Sequence, residues 1–464
     1  MERRFDLPTA EELAACHVPP ELSAALPERF RALATPFADL LESDSERYYF
    51  HAVLEGLAAD GRKNLEAIAY AHDHDRQMYQ VFVGQKSWDH QPMLNLLAKQ
   101  VGEQIGDENA VIVFDPTSFP KQGKMSVGVA RQWCGRLGKV DNCQVAVCMS
   151  LASEKGHALV NVRLYMPQEW NRARKVAAGV PKEHRKFRTR HEFALIMLKE
   201  QRNDLPHGWV TGDDEMGRPA LFRKALDDLD ERYFLAVPSN TTVRDLETKI
   251  ASSGKGAPRK MPFVGVEQWM KSQPESRWQH VVVRDGSRGP LEVDVLTCRV
   301  QAKIDRRVGR EERLVVIRYV NVDKIQHDYY LTNADDSVTV FEYARVSKLG
   351  HTIEEDFRNA KSEAGLGDYQ VRNWYGWHHH VTLSLITSWC LTQETLRQKK
   401  NIPEMTVPRL HGLLTCRLLA QWQTHDPVVA SHTASRWMQR NLLAKHFHHQ
   451  SYNKRRQKVL RKRN

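Results

Sequence analysis

Three carboxylates and the cations near them are the residues whose types and spacing could do chemistry. Asp115 follows the apolar run Val111 to Phe114, which reads as a short buried strand ended by Pro116 and Pro120, since proline cannot continue a ladder. An acid leaving such a strand at its carboxyl end is placed to hold a hard metal ion, and Lys121, Lys124, Arg131, Arg136 and Lys139 then offer charge to a phosphate backbone. Taken alone, an Asp before a proline is more often a solvated turn residue. Asp213 closes a second short strand, Trp209 to Gly212, within GWVTGDDEMG. Glu354 has Arg358 at i+4 and Lys361 at i+7 on one helical face, which is either a solvated ion-pair stripe or a last metal ligand with cations for phosphate.

These positions lie far apart, so a fold must bring them together. With 464 residues, 41% hydrophobic and 8% aromatic, the chain can bury a sizeable core and form about two to four structural units. No apolar run reaches the roughly 18 residues of a membrane helix, and MERRFDLPTAEEL lacks the apolar core of a signal peptide. Seven scattered cysteines without a C-x-x-C pair fit a reducing compartment and not a zinc site. A cytoplasmic, nucleoid-associated protein is expected.

Along the chain, 1–108 reads as a helical domain on Leu22 to Leu41, Ser43 to Ala59 and Gln91 to Ile105; its mixture of Arg, Lys, His and aromatics suits DNA or an ordinary bundle equally. Segment 109–238 reads as the first part of an α/β core, with strands at Val140 to Ser153 and His157 to Met166, a helix at Glu192 to Gln201, the Asp213 strand and the strand YFLAVP. Alternating β-branched residues in 239–325 predict an antiparallel β-rich insertion, and YYLT at Tyr329 to Thr332 returns the chain to the core. Segment 326–400 carries the Glu354 helix, running from Val340 to near Gly365, and the apolar helix Trp377 to Arg397; 401–464 is a helical region with a basic tail.

Three blocks resemble the bacterial insertion-sequence transposases of the DDE superfamily: DPTSFPKQGKMSVGVARQWCGRLGKVDNCQ from Asp115, GWVTGDD from Gly208, and IEEDFRNAKSEAGLGDYQVRNWYGWHHH from Ile353. The resemblance runs from about residue 40 to 400 and is closest to the branch with a β-rich insertion between the second Asp and the Glu. It implies a ribonuclease-H-like mixed sheet flanked by helices. Asp115, Asp213 and Glu354 would then be both catalytic and metal-binding, holding two Mg²⁺ ions for which Mn²⁺ may substitute. Lys361 matches the family lysine that follows the Glu. The implied activity is cleavage at transposon ends and transfer of the freed 3′-hydroxyl into target DNA, by a homodimer or higher assembly on double-stranded DNA. A catalytically inactive DNA-binding derivative and a site-specific nuclease without strand transfer remain the alternatives.

The sequence departs from that pattern where relatives often carry Tyr and Arg seven and four residues before the Glu: here stand Ser347 and Gly350, with Tyr343, Arg345 or Lys348 as nearby substitutes. Asp214 and Glu355 leave a one-residue slip open. His378, His379 and His380 are consecutive on a helix and cannot chelate one ion together, so core and phosphate contacts are expected of them. In the insertion, resemblance to relatives that flip a base during hairpin formation implies that Trp269 or Trp278, with Trp278 the chosen candidate, stacks on that base, against the plainer reading that each is a packed β-core residue.

From Pro427 to Asn464 there is no Asp or Glu, and ten Lys and Arg carry nearly all of the net charge of +11. Lys454, Arg455 and Arg456 begin its densest run, KRRQKVLRKRN, which reads as a DNA-binding arm. Deleting residues 446–464 should lower the slope of log affinity against log salt by up to about 0.9 for each phosphate no longer neutralised, equally for end and random DNA. Affinity across a salt series checks this, and an unchanged slope would make the tail a bystander.

Overall fold

The computed structural model describes residues 20–59, 61, 63–72, 75–248, 261–284, 291–304, 307–320, 325–402 and 405–422, so the basic tail with Lys454, Arg455 and Arg456 lies outside the described residues. The chain divides into two compact units: Ser87–Ser362 with Val371–Trp389, and Met1–Lys86 with Glu363–Gln370 and Cys390–Asn464.

The larger unit is built on a sheet of twelve strands: β1 (Val111–Pro120), β2 (Ala130–Cys134), β3 (Lys139–Ser153), β4 (Gly156–Tyr165), β5 (Trp209–Gly212), β6 (Tyr233–Ala236), β7 (Thr242–Asp245), β8 (Val264–Gly265), β9 (Gln279–Arg284), β10 (Leu291–Ile304), β11 (Arg307–Val320) and β12 (Ile325–Thr332). At its centre β4, β3 and β1 pair antiparallel, and β5 and β6 continue parallel to β1. This is the mixed order of a ribonuclease-H-like core, flanked by helices such as Gln91–Ile105 and Arg190–Gln201. The central strands are buried along nearly their whole length, which is why they read as continuous apolar runs without alternation.

The insertion is not a separate sheet. Its last strand, β12, pairs antiparallel with β6 through Tyr330↔Ala236 and with β11 through Leu314↔Leu331, so the core sheet and the insertion share one ladder. A local apolar cluster of Val243, Trp269, Leu296, Val300, Val316 and Leu331 fills the face of the insertion. Trp269 is 3% exposed and its indole N–H donates to Asp245 at 2.9 Å.

Two expectations need correction. Strand β1 does not stop at Pro116: it pairs with β3 out to Pro120↔Cys143. Its parallel partner β5 ends at Phe114↔Gly212, so from Asp115 onward β1 has an open edge where the missing proline N–H costs no ladder bond. The helix expected to run unbroken from Val340 to Gly365 is two helices, Val340–Gly350 and Thr352–Ser362, meeting at His351.

In the smaller unit, helices Pro20–Ala38, Asp44–Leu57, Leu65–Ala71, Arg76–Gly84 and Val407–Trp422 gather around Phe30, Phe37, Phe50, Leu54 and Tyr79. Ser43 and Glu46 form a reciprocal cap at the start of the second helix. Arg29 binds Glu394 at 2.8 Å, and His411 binds Glu363 at 2.8 Å.

One buried ion pair fastens the insertion to the core. Arg223, on the helix Ala220–Asp227, donates through Nε to Glu312 of β11 at 2.7 Å, and both side chains are almost wholly buried. The Tyr233 hydroxyl of β6 donates to the same carboxylate at 2.7 Å, and Arg223 Nη1 donates to the Gly217 carbonyl at 2.6 Å. Removing one charge strands the other in apolar surroundings, so Glu312→Ala should cost about 3 to 5 kcal/mol of stability. The double replacement Arg223→Met, Glu312→Leu should recover most of that loss, read by denaturant unfolding.

Candidate active site

Gly212 sets the geometry of the site. It pairs with Phe114 in the last rung of the parallel β1–β5 ladder, so Asp115 and Asp213 follow side by side where that pairing ends. A β-carbon at 212 would lie 2.9 Å from the Phe114 carbonyl oxygen and 2.9 Å from Met216 Cβ, so any larger residue would push the two strands apart. Asp213 caps the short helix Asp214–Gly217, its Oδ1 accepting from the Met216 amide at 3.0 Å. Glu354 sits in the first turn of Thr352–Ser362.

All three carboxylates line one open pocket of about 390 Å³, together with Asp214, His327, Tyr330, Ser347 and His351. The Asp115 carboxyl is held well above the usual carboxylate range, first by burial and then by the negative charges of Asp213, Glu354 and Glu215. Asp213 is open to solvent over more than a third of its surface, yet protein packed round the pocket mouth, with Glu215 and Asp214, raises it to about 6. Among the described residues no three His, Cys, Asp or Glu side chains stand close enough to hold an ion as they are. The donor set still suits a hard divalent cation, because it consists of carboxylate oxygens around an Asp that resists ionisation until positive charge arrives.

The neighbours of the chosen positions are otherwise engaged. Asp214 binds Arg218 at 3.2 Å, and Glu355 lies 3.6 Å from Arg358, whose side chain is largely exposed. Asp356 is buried, accepting from the Ser150 hydroxyl at 2.5 Å and from His157 Nδ1 at 2.7 Å. That clamp fixes the rotation of the helix on β3 and β4 and leaves Glu354, two residues earlier, facing the pocket. Lys361 Nζ donates to Thr117 Oγ1 at 2.7 Å, two residues beyond Asp115 on β1, and burial draws its pKa down.

The other predicted contacts scatter. Arg131 is exposed on β2 and Lys124 is exposed in the loop before it. Lys121 is half-buried where β1 ends, its amide bonded to the Asn142 carbonyl. Trp278 is packed against the apolar cluster of the insertion, with the Arg318 guanidinium 4.2 Å above its ring. His378, His379 and His380 are all buried. His379 stacks on Trp88 at 3.7 Å and bonds the Trp88 carbonyl at 2.8 Å, while burial holds His378 well below the usual imidazole range. The phosphate contacts expected of these histidines are therefore corrected: they are core residues, and His378 is neutral.

Ser347 and Gly350 have structural explanations. The Tyr319 and Tyr330 hydroxyls each lie 3.0 Å from Ser347 Oγ, so phenols from the insertion reach this position from outside the helix. At Gly350 a β-carbon would come within 3.2 Å of Thr211 Cγ2, which leaves little room for a long side chain. Of the nearby substitutes, Tyr343 is buried, and Arg345 is paired with Glu342 at 2.7 Å. Reading the sequence missed His327, Tyr330 and His351 in the pocket; the YYLT segment was the only signal that β12 comes so close.

Residues 36–290 match the family described as DDE superfamily endonuclease. The chain is 27% identical over 213 residues to a probable transposase for insertion sequence element IS701 from Microchaete diplosiphon, covering 45% of this chain and 53% of that relative. It thus spans about half the length of the relative it matches. In three dimensions it is loosely similar to a piggyBac transposase in a synaptic complex with hairpin DNA, at 11% identity and a TM-score of 0.39, over 92% of this chain and 86% of that one.

The raised carboxyls have a measurable consequence. Unfolded Asp titrates near about 3.9, so Asp115 and Asp213 favour the folded state most below that pH, and their contribution is lost as pH rises through about 6 for Asp213 and higher for Asp115. In EDTA, Asp115→Asn should raise the melting temperature relative to the unaltered protein at pH 8, and the difference should shrink towards pH 4. Mg²⁺ at pH 8 should stabilise the unaltered protein more than the variant. Thermal unfolding across the pH series checks both, and a variant less stable at pH 8 than at pH 4 relative to the unaltered chain would contradict the electrostatic reading.

Proposed function

We propose, from the premise that the chain belongs to the DDE superfamily of endonucleases, that it is the transposase of an insertion sequence, hydrolysing phosphodiester bonds at the element's ends and joining the freed 3′-hydroxyls to target DNA. The observation that carries this reading is Asp115, forced towards its neutral form by burial and by the charges of Asp213 and Glu354 around one open pocket. Asp115, Asp213 and Glu354 are the residues to hold divalent cations. Two Mg²⁺ ions, or Mn²⁺ in their place, would supply the Lewis acidity for in-line displacement at phosphorus.

The chain's own groups orient what binds there. Asp213 is oriented by the amide of Met216, which donates to its Oδ1, and it lines the pocket. The Asp356 clamp holds the Glu354 helix in register against β3 and β4. Lys361, beside Thr117 on the Asp115 strand, sets an ammonium next to the acidic pocket, where it offsets the charge of an incoming phosphate. Exposed Lys124, Arg131 and Arg358 offer further backbone contacts, which position DNA without reading its sequence. The working form is taken to be a homodimer or larger assembly on paired ends.

Asp115→Asn, Asp213→Asn and Glu354→Gln should each abolish Mg²⁺-dependent cleavage of end-containing DNA, a loss of at least about a thousandfold if each removes a ligand, while binding to that DNA stays nearly intact. Asp214→Asn and Glu355→Gln should keep most activity. Mapping both strands of the products decides: nicks without joined products would reduce the reading to a nuclease, and a dead Asp214 or Glu355 variant would move the ligand set by one residue.

A further inference from the structure

Just beyond the Asp115 strand the chain makes a hairpin whose outer face is both apolar and basic. Trp133 of β2 and Val140 of β3 are directly opposed in the ladder and are 55% and 50% exposed. Leu137, in the turn that joins the two strands, is 44% exposed, and Met125, in the preceding loop, 74%. Between Lys121 and Asn142 there are five Lys and Arg and one acid, Asp141, which Lys139 binds at 3.0 Å.

This exposure does not come from looseness. The tip is pinned to β1, where the Ser118 hydroxyl accepts from the Arg136 amide at 3.1 Å and lies 3.4 Å from Cys134 Sγ. Asn142 Nδ2 donates to the carbonyls of Lys121 and Gly123, tying the Met125 loop to the hairpin base. Gly138 at φ 62° closes the turn in the left-handed region. A rigid protrusion that keeps an aromatic ring in water, beside Arg131 on the same face and Arg136 at the turn, is complementary to a ligand with flat apolar faces and a negative backbone.

We infer that this hairpin is a stacking platform for an unpaired base of DNA: Trp133, flanked by Val140, takes the base face, and Arg131 and Arg136 grip the adjoining phosphates. The inference rests on the reading that the chain acts on DNA and adds that it binds distorted duplex in preference to regular duplex. An exposed ring gains a base–aromatic stack only where the base has left its own stack. The cations contribute equally to both forms of DNA.

The test uses full-length protein in EDTA, so that no cleavage intervenes, with two probes: a random-sequence duplex and the same duplex carrying one unpaired adenine. The unaltered protein should bind the second more tightly. Trp133→Ala should reduce that preference by at least about fivefold, Trp133→Phe should keep it, and Arg131→Ala should weaken both probes alike. Leu137→Ser serves as a second, less intrusive change at the tip and should lower the preference partially. Equal affinity of the unaltered protein for the two probes, or a preference untouched by Trp133→Ala, overturns the inference. So does a Trp133→Ala protein that changes only its sedimentation behaviour, since the face would then join copies of the chain. Failure to bind either probe would count against the DNA-acting reading itself, whereas binding to both probes with a preference unaffected by Trp133→Ala would remove the hairpin inference alone.

Discussion

Parallel pairing of β1 with β5 is the constraint on which the rest of this molecule depends. It ends at Phe114 and Gly212, and one residue further on both chains carry an aspartate. Parallel strands present their carboxyl ends on the same edge, where a crevice can form between the loops that leave them. The close approach needs glycine at 212, because a β-carbon there would meet both the Phe114 carbonyl and Met216. The acidic character of the pocket is thus a product of backbone register before it is a property of any side chain.

The third carboxylate arrives by a different device. The helix Val340–Gly350 ends at His351, and the next helix starts at Thr352, so Glu354 lies in a first turn near a helix N-terminus, where a negative charge is favoured. Rotation of that helix is set by the buried Asp356 between Ser150 and His157. Acidic neighbours in the chain therefore divide their work: Glu354 faces the pocket, Glu355 lies near Arg358 at the surface, and Asp356 anchors. The insertion closes another side, since β12 is hydrogen-bonded to the core strand β6 and brings His327 and Tyr330 to the pocket, while Arg223, Glu312 and Tyr233 lock β11 to the core.

How much of this could be read from the sequence depended on whether the signal was local. Strand β5, the helix Gln91–Ile105 and the antiparallel pairing within the insertion follow from runs and alternation over a few residues, and the structure has them where expected. The continuation of β1 through Pro116 and Pro120 was hidden because a proline is tolerated only on a strand edge that lacks a partner, and edges are a tertiary fact. The break at His351 was hidden because apolar residues keep helical spacing across it. The return of the chain to the core at Tyr329 to Thr332 was legible as the apolar run YYLT, and the structure pairs that run with β6, but which core strand it joins is a long-range pairing that no window of residues reveals. The consecutive histidines were half legible: the core contacts expected of them are there, but all three are buried, which removes them from the phosphate contacts also expected.

Concentrating carboxylates in a crowded pocket makes the site costly at neutral pH and repulsive to the phosphates it is proposed to cut, so positive charge must enter from outside the acidic set. One source is built into the same strand. After Asp115, β1 passes Thr117, which holds the Lys361 ammonium, then Ser118, which pins the hairpin tip through Arg136 and Cys134. Along the strand the neighbouring charge thus changes over a few residues, from carboxylate to half-buried lysine to exposed arginine. Because one strand, paired with β3 from Val111 to Pro120, carries Asp115 and anchors the hairpin, the fold fixes the spacing between the place proposed to grip phosphate and the place proposed to cut it.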